Sequence, residues 1–482
     1  MSNYYLFPFG KIKQGSKIVI YGAGNVGQWY LSQLRDTSYA EVVAVVDRSW
    51  QKYPQMGARM ISPEGISDTD FENVVIAIEK PEIAQEIKKS LIERYNIPAD
   101  KILWGCEHIS VKPQVLPPFS SENGVSAIAP FAFQTAEHSL AVFLPGGLGD
   151  DIISKRFLEA LREFEDKLAI DLYCGKNSRG FAEAIFQEPW YQIYDVPVLY
   201  EWNKAKYDIA LKADYILRFD NISEDSLRDK APRLFAIVEK LRDSVESYGL
   251  DAKPYCEYFI HFARSQYLGW SAYAAMGHGL LSYETDHVHI PLQETGKKRF
   301  QELGLPQRYI TINYGWGTKE LRKSLPAKVW PLHYYTELIS KLHSEFPGIT
   351  LVQLGTSSSA IINGIDKFVQ GESLETVKFV LMHSSLHIDC EGGLVHLATQ
   401  LGTKCAVLFG PTPESYFGYR ENINICADVC RPCCYVYDDF TLCARNQKAP
   451  ECMLAITPSM VMEAIRDYLD RQLSVNGTVK SR

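Results

Sequence analysis

Short runs of apolar residues alternate with amphipathic stretches along the whole chain. Near the start, apolar runs at residues 17–21, 41–46, 73–78 and 102–104 have the length and composition of buried strands. Residues 81–95, between two of these runs, have the spacing of an amphipathic helix. Strands that alternate with helices predict a parallel, doubly wound α/β sheet.

The same alternation occurs twice more further along the chain. Predicted strands lie at residues 140–144, 168–173 and 207–211, and then at 308–313, 350–354, 386–389 and 405–409. A proline-rich stretch with little periodicity separates the first α/β segment from the second, which is typical of a linker. The predicted organisation is an N-terminal α/β domain, a linker, and two α/β halves that could face each other across a cleft, at residues 1–112, 113–136, 137–305 and 306–482.

The composition is that of a globular protein. The chain has 482 residues, of which 46% are hydrophobic, and this length is typical of about three domains. The net charge of -8 argues against nucleic-acid binding by the whole chain, although a local basic patch can still contact an anionic ligand or a membrane surface. The sequence shows neither a signal-peptide pattern nor an apolar run of membrane-spanning length, so a cytoplasmic location is expected.

A glycine-rich turn follows the first predicted strand. Gly22, Gly24 and Gly27 have the spacing of a Rossmann-type nucleotide-binding turn, and Asp47 ends the next strand. In such domains the glycines let a pyrophosphate approach a helix N-terminus, and the acidic residue binds ribose hydroxyls. The glycines can instead serve only the packing of helix against strand in a domain that binds no ligand. Both interpretations stay open, since this segment has no evident catalytic group.

A second glycine-rich turn leads into two acidic residues. Gly146, Gly147 and Gly149 follow a predicted strand, and Asp150 and Asp151 stand at the start of a predicted helix. A carboxylate there can take a proton from an acceptor hydroxyl and make its oxygen a better nucleophile. An aspartate at a helix start can also serve only as an N-cap that accepts a backbone N–H. Spacing alone favours the cap, and it leaves open which of the two aspartates is functional.

Five motifs in the second and third α/β segments occur in a fixed order. They are Leu-Pro-Gly-Gly-Leu-Gly-Asp at 144–150, Lys-Val-Trp-Pro at 328–331, Leu-Val-Gln-Leu-Gly at 351–355, Asp-Cys-Glu-Gly-Gly-Leu-Val-His-Leu-Ala at 389–398, and Thr-Lys-Cys-Ala-Val-Leu-Phe-Gly-Pro-Thr at 403–412. Together they resemble the ADP-heptose/lipopolysaccharide heptosyltransferase family, glycosyltransferase family 9. The resemblance implies a GT-B fold of two facing Rossmann-like domains, here preceded by a small Rossmann-like domain. It also implies that the C-terminal half binds most of a nucleotide-sugar donor.

The resemblance implies roles for individual residues. Asp150 matches the family's proposed catalytic base, next to Gly149 in the glycine-rich turn. Lys328 matches a lysine near the donor phosphates, where a cation can neutralise charge that develops on the leaving diphosphate. Gly393 and His396 match donor-site positions directly, although His396 could instead be a core histidine with satisfied hydrogen bonds.

The expected donor site also includes an acidic position and a polar turn. Glu391 stands where the family usually has aspartate and Gly392 where it has serine or threonine, so contacts with the donor ribose can differ and Asp389 can share the role. Thr318 lies in a polar turn that the family uses for the donor phosphates, and basic residues follow it. For that turn a solvated, charged loop is an equally good interpretation.

Six of the eleven cysteines fall between Cys426 and Cys452. Cys430 and Cys433 form a Cys-x-x-Cys pair, and Cys443 and Cys452 follow it, so four thiolates are available to a tetrahedral metal ion. Similar cysteines occur in relatives of the family, and those that modify autotransporter adhesins carry an iron-binding finger. The resemblance therefore implies a structural iron or zinc in an insertion at 426–453. The alternative is a group of free thiols.

These features predict an inverting glycosyltransferase that moves a heptose-like sugar from a nucleotide-sugar to a hydroxyl of a glycan, a lipid-linked glycan or a protein. No Asp-x-Asp motif stands out as a site for a divalent ion, so no catalytic metal is expected. An oligomer and a peripheral membrane contact are both compatible with the sequence. The alternatives are an NAD(P)-dependent oxidoreductase, a nucleotide-sugar-binding module that uses the N-terminal domain, and a non-catalytic scaffold.

The cysteine hypothesis predicts a metal ion in protein purified without added metal. Because four thiolates would tie distant residues together, metal binding would supply folding free energy to residues 426–453 only. We expect elemental analysis to find iron or zinc near one equivalent, and Cys433→Ser to lower that stoichiometry while Cys174→Ser does not. Neither metal at a significant level, with Cys430, Cys433, Cys443 and Cys452 all titratable as thiols, would leave the free-thiol interpretation standing.

Overall fold

A computed structural model gives the structure of most of the chain. It describes residues 2–8, 11–13, 15–37, 40–53, 58–105, 107–111, 137–175, 177–195, 197–213, 216–247, 265, 268–314, 327–357, 359–429, 432 and 450–474. These residues form two compact units, a smaller one built mainly from the N-terminal α/β segment and a larger one that contains the second and third segments. In the part of the chain so described, no helix combines the length and the apolar character needed to cross a membrane.

The smaller unit contains a five-stranded parallel sheet and a separate antiparallel pair. The pair joins β1 (Ser2–Leu6) to β7 (Glu107–Val111). The sheet has the order β4-β3-β2-β5-β6, with β2 Lys17–Tyr21, β3 Glu41–Val46, β4 Met60–Ile61, β5 Asn73–Ile76 and β6 Ile102–Trp104. Helices α1 (Asn25–Thr37) and α2 (Pro81–Glu93) connect its strands. Apolar clusters lie on both faces of the sheet, which explains why its strands are continuous apolar runs.

The first sheet of the larger unit has five strands in the order β10-β9-β8-β11-β12. They are β8 His138–Phe143, β9 Leu168–Tyr173, β10 Tyr191–Tyr194, β11 Ile209–Ala213 and β12 Leu217–Ile222. All pairings are parallel except that of β12, which returns antiparallel to β11. Its helices are α3 Leu148–Arg162, α4 Arg179–Ile185, α5 Pro197–Asn203, α6 Glu224–Lys230, α7 Pro232–Glu246 and α8 Ala272–Met276.

The second sheet of the larger unit has six parallel strands in the order β15-β14-β13-β16-β17-β18. They are β13 Tyr309–Asn313, β14 Thr350–Gly355, β15 Lys367–Gln370, β16 His387–Cys390, β17 Cys405–Phe409 and β18 Ile423–Cys426. Its helices are α9 Glu294–Glu302, α10 Leu332–Glu345, α11 Leu374–Met382, α12 Gly393–Gln400, α13 Glu414–Phe417, α14 Glu451–Ala455 and α15 Pro458–Ser474. The predicted strands of all three segments are confirmed, and so are the α/β class and its parallel sheets.

All three sheets share one strand order. In each, the first strand lies between the second and the fourth, so the direction of winding reverses beside the first strand. In open α/β sheets, ligands bind at the carboxyl ends of the strands at this point of reversal. In the larger unit the points of reversal lie between β8 and β11 and between β13 and β16. The second glycine-rich turn follows β8, and the 389–398 motif overlaps the end of β16.

Two fully buried lysines, one from each half of the larger unit, bind the segment that leads from the first half to the second. Lys155 of α3 donates to the carbonyls of Ile185 and His289 at 3.0 and 2.9 Å and pairs with Glu188. Lys378 of α11 donates to the carbonyls of Ala184 and Pro291 at 2.6 and 2.8 Å and pairs with Glu375 at 2.8 Å. Each ammonium therefore satisfies buried carbonyls at the end of α4 and in the segment that leads from the first half to the second.

We expect Lys378→Met to lower the free energy of unfolding of the larger unit by about 2–4 kcal/mol, because it leaves two buried carbonyls and the Glu375 carboxylate without their ammonium. Urea unfolding followed by tryptophan fluorescence measures the change. Lys297→Met is the matched control, since Lys297 is half exposed and its pair with Glu294 lies on the surface of α9. Equal stability of the two variants would contradict the role given to Lys378.

Candidate functional site

The second glycine-rich turn lies between β8 and α3. Gly146 has a φ of +90°, a left-handed conformation that a side chain would strain. α3 begins at Leu148, so that Asp150 and Asp151 both lie in its first turn. Carboxylates in the first turn of a helix interact favourably with its dipole.

The first turns of α3 and α12 touch each other, and glycine makes the contact possible. A Cβ on Gly149 would lie 2.7 Å from Cδ2 of His396, and one on Gly393 would lie 2.9 Å from Cβ of Leu148 and 3.2 Å from the backbone nitrogen of Gly149. Real side chains do not fit at such distances without displacing one helix. The contact brings Gly149, Gly393 and His396, which the sequence nominated from separate motifs, to one point between the halves.

The two aspartates of α3 have different surroundings. Asp150 is half-buried, and its carboxylate folds back over Gly147. Asp151 is fully buried, and neither of its oxygens has a hydrogen-bond partner of normal geometry among the described residues. Burial, followed by the charge of Asp150, raises the pKa of Asp151 well above its usual value, and the backbone amide of Gly146 offsets this only in part. Of the two residues, only Asp150 is therefore partly accessible to solvent.

A tryptophan anchors the Lys328 segment. Trp330 is fully buried, donates its indole N–H to the carbonyl of Ile456 at 2.7 Å and packs edge-on against Tyr335. Pro331 follows and α10 begins at Leu332, because a fixed proline φ suits a helix start. This arrangement fixes the backbone two residues after Lys328, whose ammonium reaches Glu391 at 2.8 Å.

Glu391 is a buried carboxylate between Lys328 and His396. It follows β16 directly, and its side chain is 6% exposed. Burial by itself would raise its pKa, but the ammonium of Lys328 and the ring of His396 outweigh this effect and lower the pKa to about 2. Nε2 of His396 lies 3.8 Å from Oε1 of Glu391. The three side chains therefore form a polar row beside the contact of α3 and α12.

Asp389, which could share the acidic role, is engaged within the second sheet. Asn313, at the end of β13, donates to its Oδ2 at 3.0 Å, and Nε2 of His387 lies 3.5 Å from the same oxygen. Thr311 contacts the other ring nitrogen of His387 at 3.0 Å. Asp389 thus orients Asn313 at the carboxyl end of β13, and Glu391 is the carboxylate nearer to Lys328 and His396.

The glycine-rich turn of the smaller unit has Asp47 as its support. One carboxylate oxygen of Asp47 accepts from the backbone N–H of Ala23 at 2.9 Å, and the other accepts from Ser49 at 2.7 Å. Gly22 has a φ of +118°, and Gly27 packs directly on the carbonyl of Gly22, whereas the Cβ position of Gly24 is open. In this structure Asp47 shapes the turn, and ligand binding by Gly22, Gly24, Gly27 and Asp47 stays a prediction.

Several nominated residues lie outside the described part of the chain. They are Thr318 and the cysteines Cys430, Cys433 and Cys443. Cys452 is described and buried, with its sulfur close to Gly410. Among the described residues, no group of three or more His, Cys, Asp or Glu side chains could hold a metal ion. The predicted metal site therefore stays a prediction.

Sequence patterns gave no reason to select some residues that the structure brings to the site. Tyr419 contacts Nδ1 of His396 at 2.7 Å, and Tyr273 contacts Tyr419 at 2.6 Å. Both tyrosines lie in segments whose sequences have neither periodicity nor a motif. Asn313 could have been found, since it ends a predicted strand at the point where the winding of the sheet reverses.

The pair of Lys328 and Glu391 predicts strong coupling between two substitutions. Lys328→Met should lower the free energy of unfolding by about 3–5 kcal/mol, because it leaves a buried carboxylate unpaired, and Lys328→Met/Glu391→Gln should recover much of that loss. Urea unfolding of the two single variants and the double variant gives the coupling. Lys341→Met is the control, since Lys341 belongs to a more exposed pair on α10.

The dependence of folding stability on pH provides a second check on the pair of Lys328 and Glu391. The depressed pKa of Glu391 stabilises the folded state above pH 4.5, and this contribution is lost as the pH falls toward 2. Glu391→Gln should therefore lose less stability than the wild type over that interval. The pairing would be contradicted if the effects of the two substitutions on the free energy of unfolding were strictly additive and Glu391→Gln lost as much stability as the wild type between pH 4.5 and 2.

Comparison with known proteins gives a match for each unit. A family model described as C2185-like, N-terminal, matches residues 14–103 of the smaller unit. No curated protein matches the chain.

Solved structures resemble the larger part of the chain. ADP-heptose lipopolysaccharide heptosyltransferase II of E. coli is 16% identical, with a TM-score of 0.44, and the match covers 70% of this chain and 100% of that one. A glycosyl transferase of family 9 from Veillonella parvula is 13% identical, with a TM-score of 0.42 and coverage of 70% and 99%.

The iron-containing dodecameric glycosyltransferase TibC of enterotoxigenic E. coli is 14% identical, with a TM-score of 0.44 and coverage of 70% and 77%. These three are glycosyltransferases, and two of them bear the names that the sequence motifs suggested.

Proposed function

We propose that this chain is a glycosyltransferase that moves a sugar from a nucleotide-sugar donor to a hydroxyl acceptor, with inversion at the anomeric carbon. One observation carries the proposal. The glycine contact between α3 and α12 brings the first turn of α3, which carries the half-buried Asp150, against His396, which in turn adjoins Glu391 and Lys328. The helix turn that carries the proposed base in one half thus adjoins the proposed donor-site residues of the other.

Asp150 is the base in this mechanism. The acceptor oxygen attacks the anomeric carbon while its proton passes to the Asp150 carboxylate, so one C–O bond forms as the bond to the diphosphate breaks. Asp151 does not suit this role, because its carboxyl group is buried and its pKa is raised, which favours the protonated form. A single displacement of this kind inverts the anomeric centre without a covalent enzyme–sugar intermediate.

The leaving diphosphate gains negative charge, and the second half supplies the groups that stabilise it. The ammonium of Lys328 has three N–H donors, so it can stay on Glu391 and also contact a phosphate oxygen. The N-terminus of α12, at Gly393, adds backbone N–H groups and the positive end of a helix dipole. Both act on charge that is larger in the transition state than in the ground state, which is the requirement for acceleration.

Glu391 is suited to a second task, which is recognition of the nucleoside. A carboxylate held ionised by Lys328 can accept hydrogen bonds from ribose hydroxyls. Gly392 has no side chain that would obstruct the approach of the ribose. Together with the motif resemblance this supports an ADP-heptose-like donor, with Thr318 among the phosphate contacts. We propose a glycan, a lipid-linked glycan or a protein as acceptor, and a structural metal at Cys430, Cys433, Cys443 and Cys452.

A panel of nucleotide-sugars identifies the donor. A ligand present at 100 times its dissociation constant stabilises the folded protein by about 2.7 kcal/mol, which a thermal shift detects. We expect nucleoside diphosphate sugars to stabilise the chain and Lys328→Met to abolish the shift.

With the donor identified, Asp150→Asn tests the base. It should reduce turnover by about 10²- to 10⁴-fold and leave the donor dissociation constant nearly unchanged, because a general base acts on the acceptor. Asp151→Asn is the comparison, since it changes the neighbouring carboxyl group that is buried. Full turnover in Asp150→Asn with a loss in Asp151→Asn would move the role by one residue, and no transfer from any sugar nucleotide would overturn the proposal.

A further inference from the structure

A chain of buried polar side chains leads away from His396, on the side of the ring opposite to Glu391. Nδ1 of His396 lies 2.7 Å from the hydroxyl of Tyr419, which lies 2.6 Å from the hydroxyl of Tyr273. All three side chains are at most 5% exposed. The Nε2 atom of His396 faces the other way, toward Glu391 and Gly149. The chain therefore joins the ring to α8 in the first half.

Gln400 fixes the direction of the hydrogen bonds in this chain. The backbone N–H of Val288 donates to its Oε1 at 2.8 Å, and its Nε2 donates to the carbonyl of Asp286 at 3.1 Å. A backbone N–H can only donate and a carbonyl can only accept, so the orientation of the amide follows from covalent chemistry. The same Nε2 lies 3.2 Å from the hydroxyl of Tyr273 and 3.4 Å from the hydroxyl of Tyr419, and it can only donate to them.

The direction then passes through both hydroxyl groups. The NH₂ group of Gln400 cannot accept the hydrogen of Tyr273, so that hydrogen goes to Tyr419, and the hydrogen of Tyr419 goes to Nδ1 of His396. In the reverse direction the hydrogen of Tyr273 would point at the NH₂ group of Gln400, which cannot accept it. Leaving a buried donor unmatched is costly, so the first direction is the stable one.

We propose that Tyr419, Tyr273 and Gln400 are positioning residues that hold His396 as the neutral tautomer with its hydrogen on Nε2. That hydrogen points toward Glu391 and Gly149, and it is available to Glu391 in the free protein and to an acceptor oxygen of the bound sugar nucleotide. The use of this hydrogen by the donor rests on the proposed function, whereas the tautomer itself does not. Tyr273 of the first half and Tyr419 and Gln400 of the second half together set the tautomer of His396.

NMR of the full-length protein, labelled with ¹⁵N-histidine, reads the tautomer directly. Two-bond correlations between ring hydrogens and nitrogens distinguish hydrogen on Nε2 from hydrogen on Nδ1, and His396→Gln assigns the signals. We expect His396 in its neutral form to carry hydrogen on Nε2. Hydrogen on Nδ1 in the wild type would overturn the proposal, whatever the variants do.

Gln400→Glu is the sharpest variant, because it changes the shape of the side chain very little. A carboxylate accepts where the amide donated, so Tyr273 would donate to position 400, Tyr419 to Tyr273, and Nδ1–H of His396 to Tyr419. We expect the tautomer to reverse. Retention of hydrogen on Nε2 in a folded Gln400→Glu protein would show that the chain does not set the ring.

Tyr419→Phe tests the consequence for the donor. It should mix the two tautomers and raise the dissociation constant of the sugar nucleotide by about 3- to 10-fold, as expected for a hydrogen bond that is no longer preorganised. Tyr309→Phe is the control, since it also removes one buried hydroxyl, which donates to the carbonyl of Val380. Equal effects of the two variants on the tautomer and on donor binding would contradict the proposal.

The two readouts separate this inference from the proposed function. If NMR finds the hydrogen of His396 on Nε2 but no sugar nucleotide binds, the proposed function fails, and the role of Tyr419, Tyr273 and Gln400 in setting the tautomer stands. If a donor binds and His396 carries its hydrogen on Nδ1, that role fails and the proposed function stands.

Discussion

Two helices of the larger unit begin against each other, and this contact is possible only because neither has a side chain at the point of closest approach. A Cβ at Gly149 would overlap the ring of His396, and one at Gly393 would overlap Leu148. Since both glycines lie in the first turn of a helix, the free backbone N–H groups of two N-termini are brought to the same region. The proposed site for an anionic donor next to a general base therefore depends on the absence of a side chain at these two positions.

Buried polar residues surround this contact, and each depends on the next. Glu391 stays ionised because Lys328 and His396 adjoin it, and His396 is held on its other side by Tyr419 and Tyr273. In a medium of low dielectric constant an unsatisfied polar group is expensive, so a connected network adopts few arrangements. The side chains are thus oriented before a ligand arrives, which is what electrostatic stabilisation of a transition state requires.

The larger unit repeats one topology for two tasks. Its two sheets have the same strand order through the fifth strand, and each contributes residues from the carboxyl ends of the strands beside its point of reversal. The turn after β8 leads into the first turn of α3, which carries the proposed base Asp150, and the ends of β13 and β16 carry Asn313, Asp389 and Glu391. The buried lysines, Lys155 and Lys378, bind both halves to the segment between them.

Much of this protein could be predicted from the sequence, because strands buried on both faces are apolar runs and tight turns require glycine. Those two rules gave the three sheets and both glycine-rich turns, and the motif resemblance gave Asp150, Lys328, Glu391 and His396 as candidates. Spacing left Asp150 and Asp151 equivalent, and the tertiary structure shows that Asp151 is the buried one, since consecutive helical residues point about 100° apart and packing decides which of them is buried. It also decided that Asp47 supports its own turn and that Tyr273 and Tyr419 hold His396, because hydrogen bonds between distant segments leave no periodic trace in a sequence.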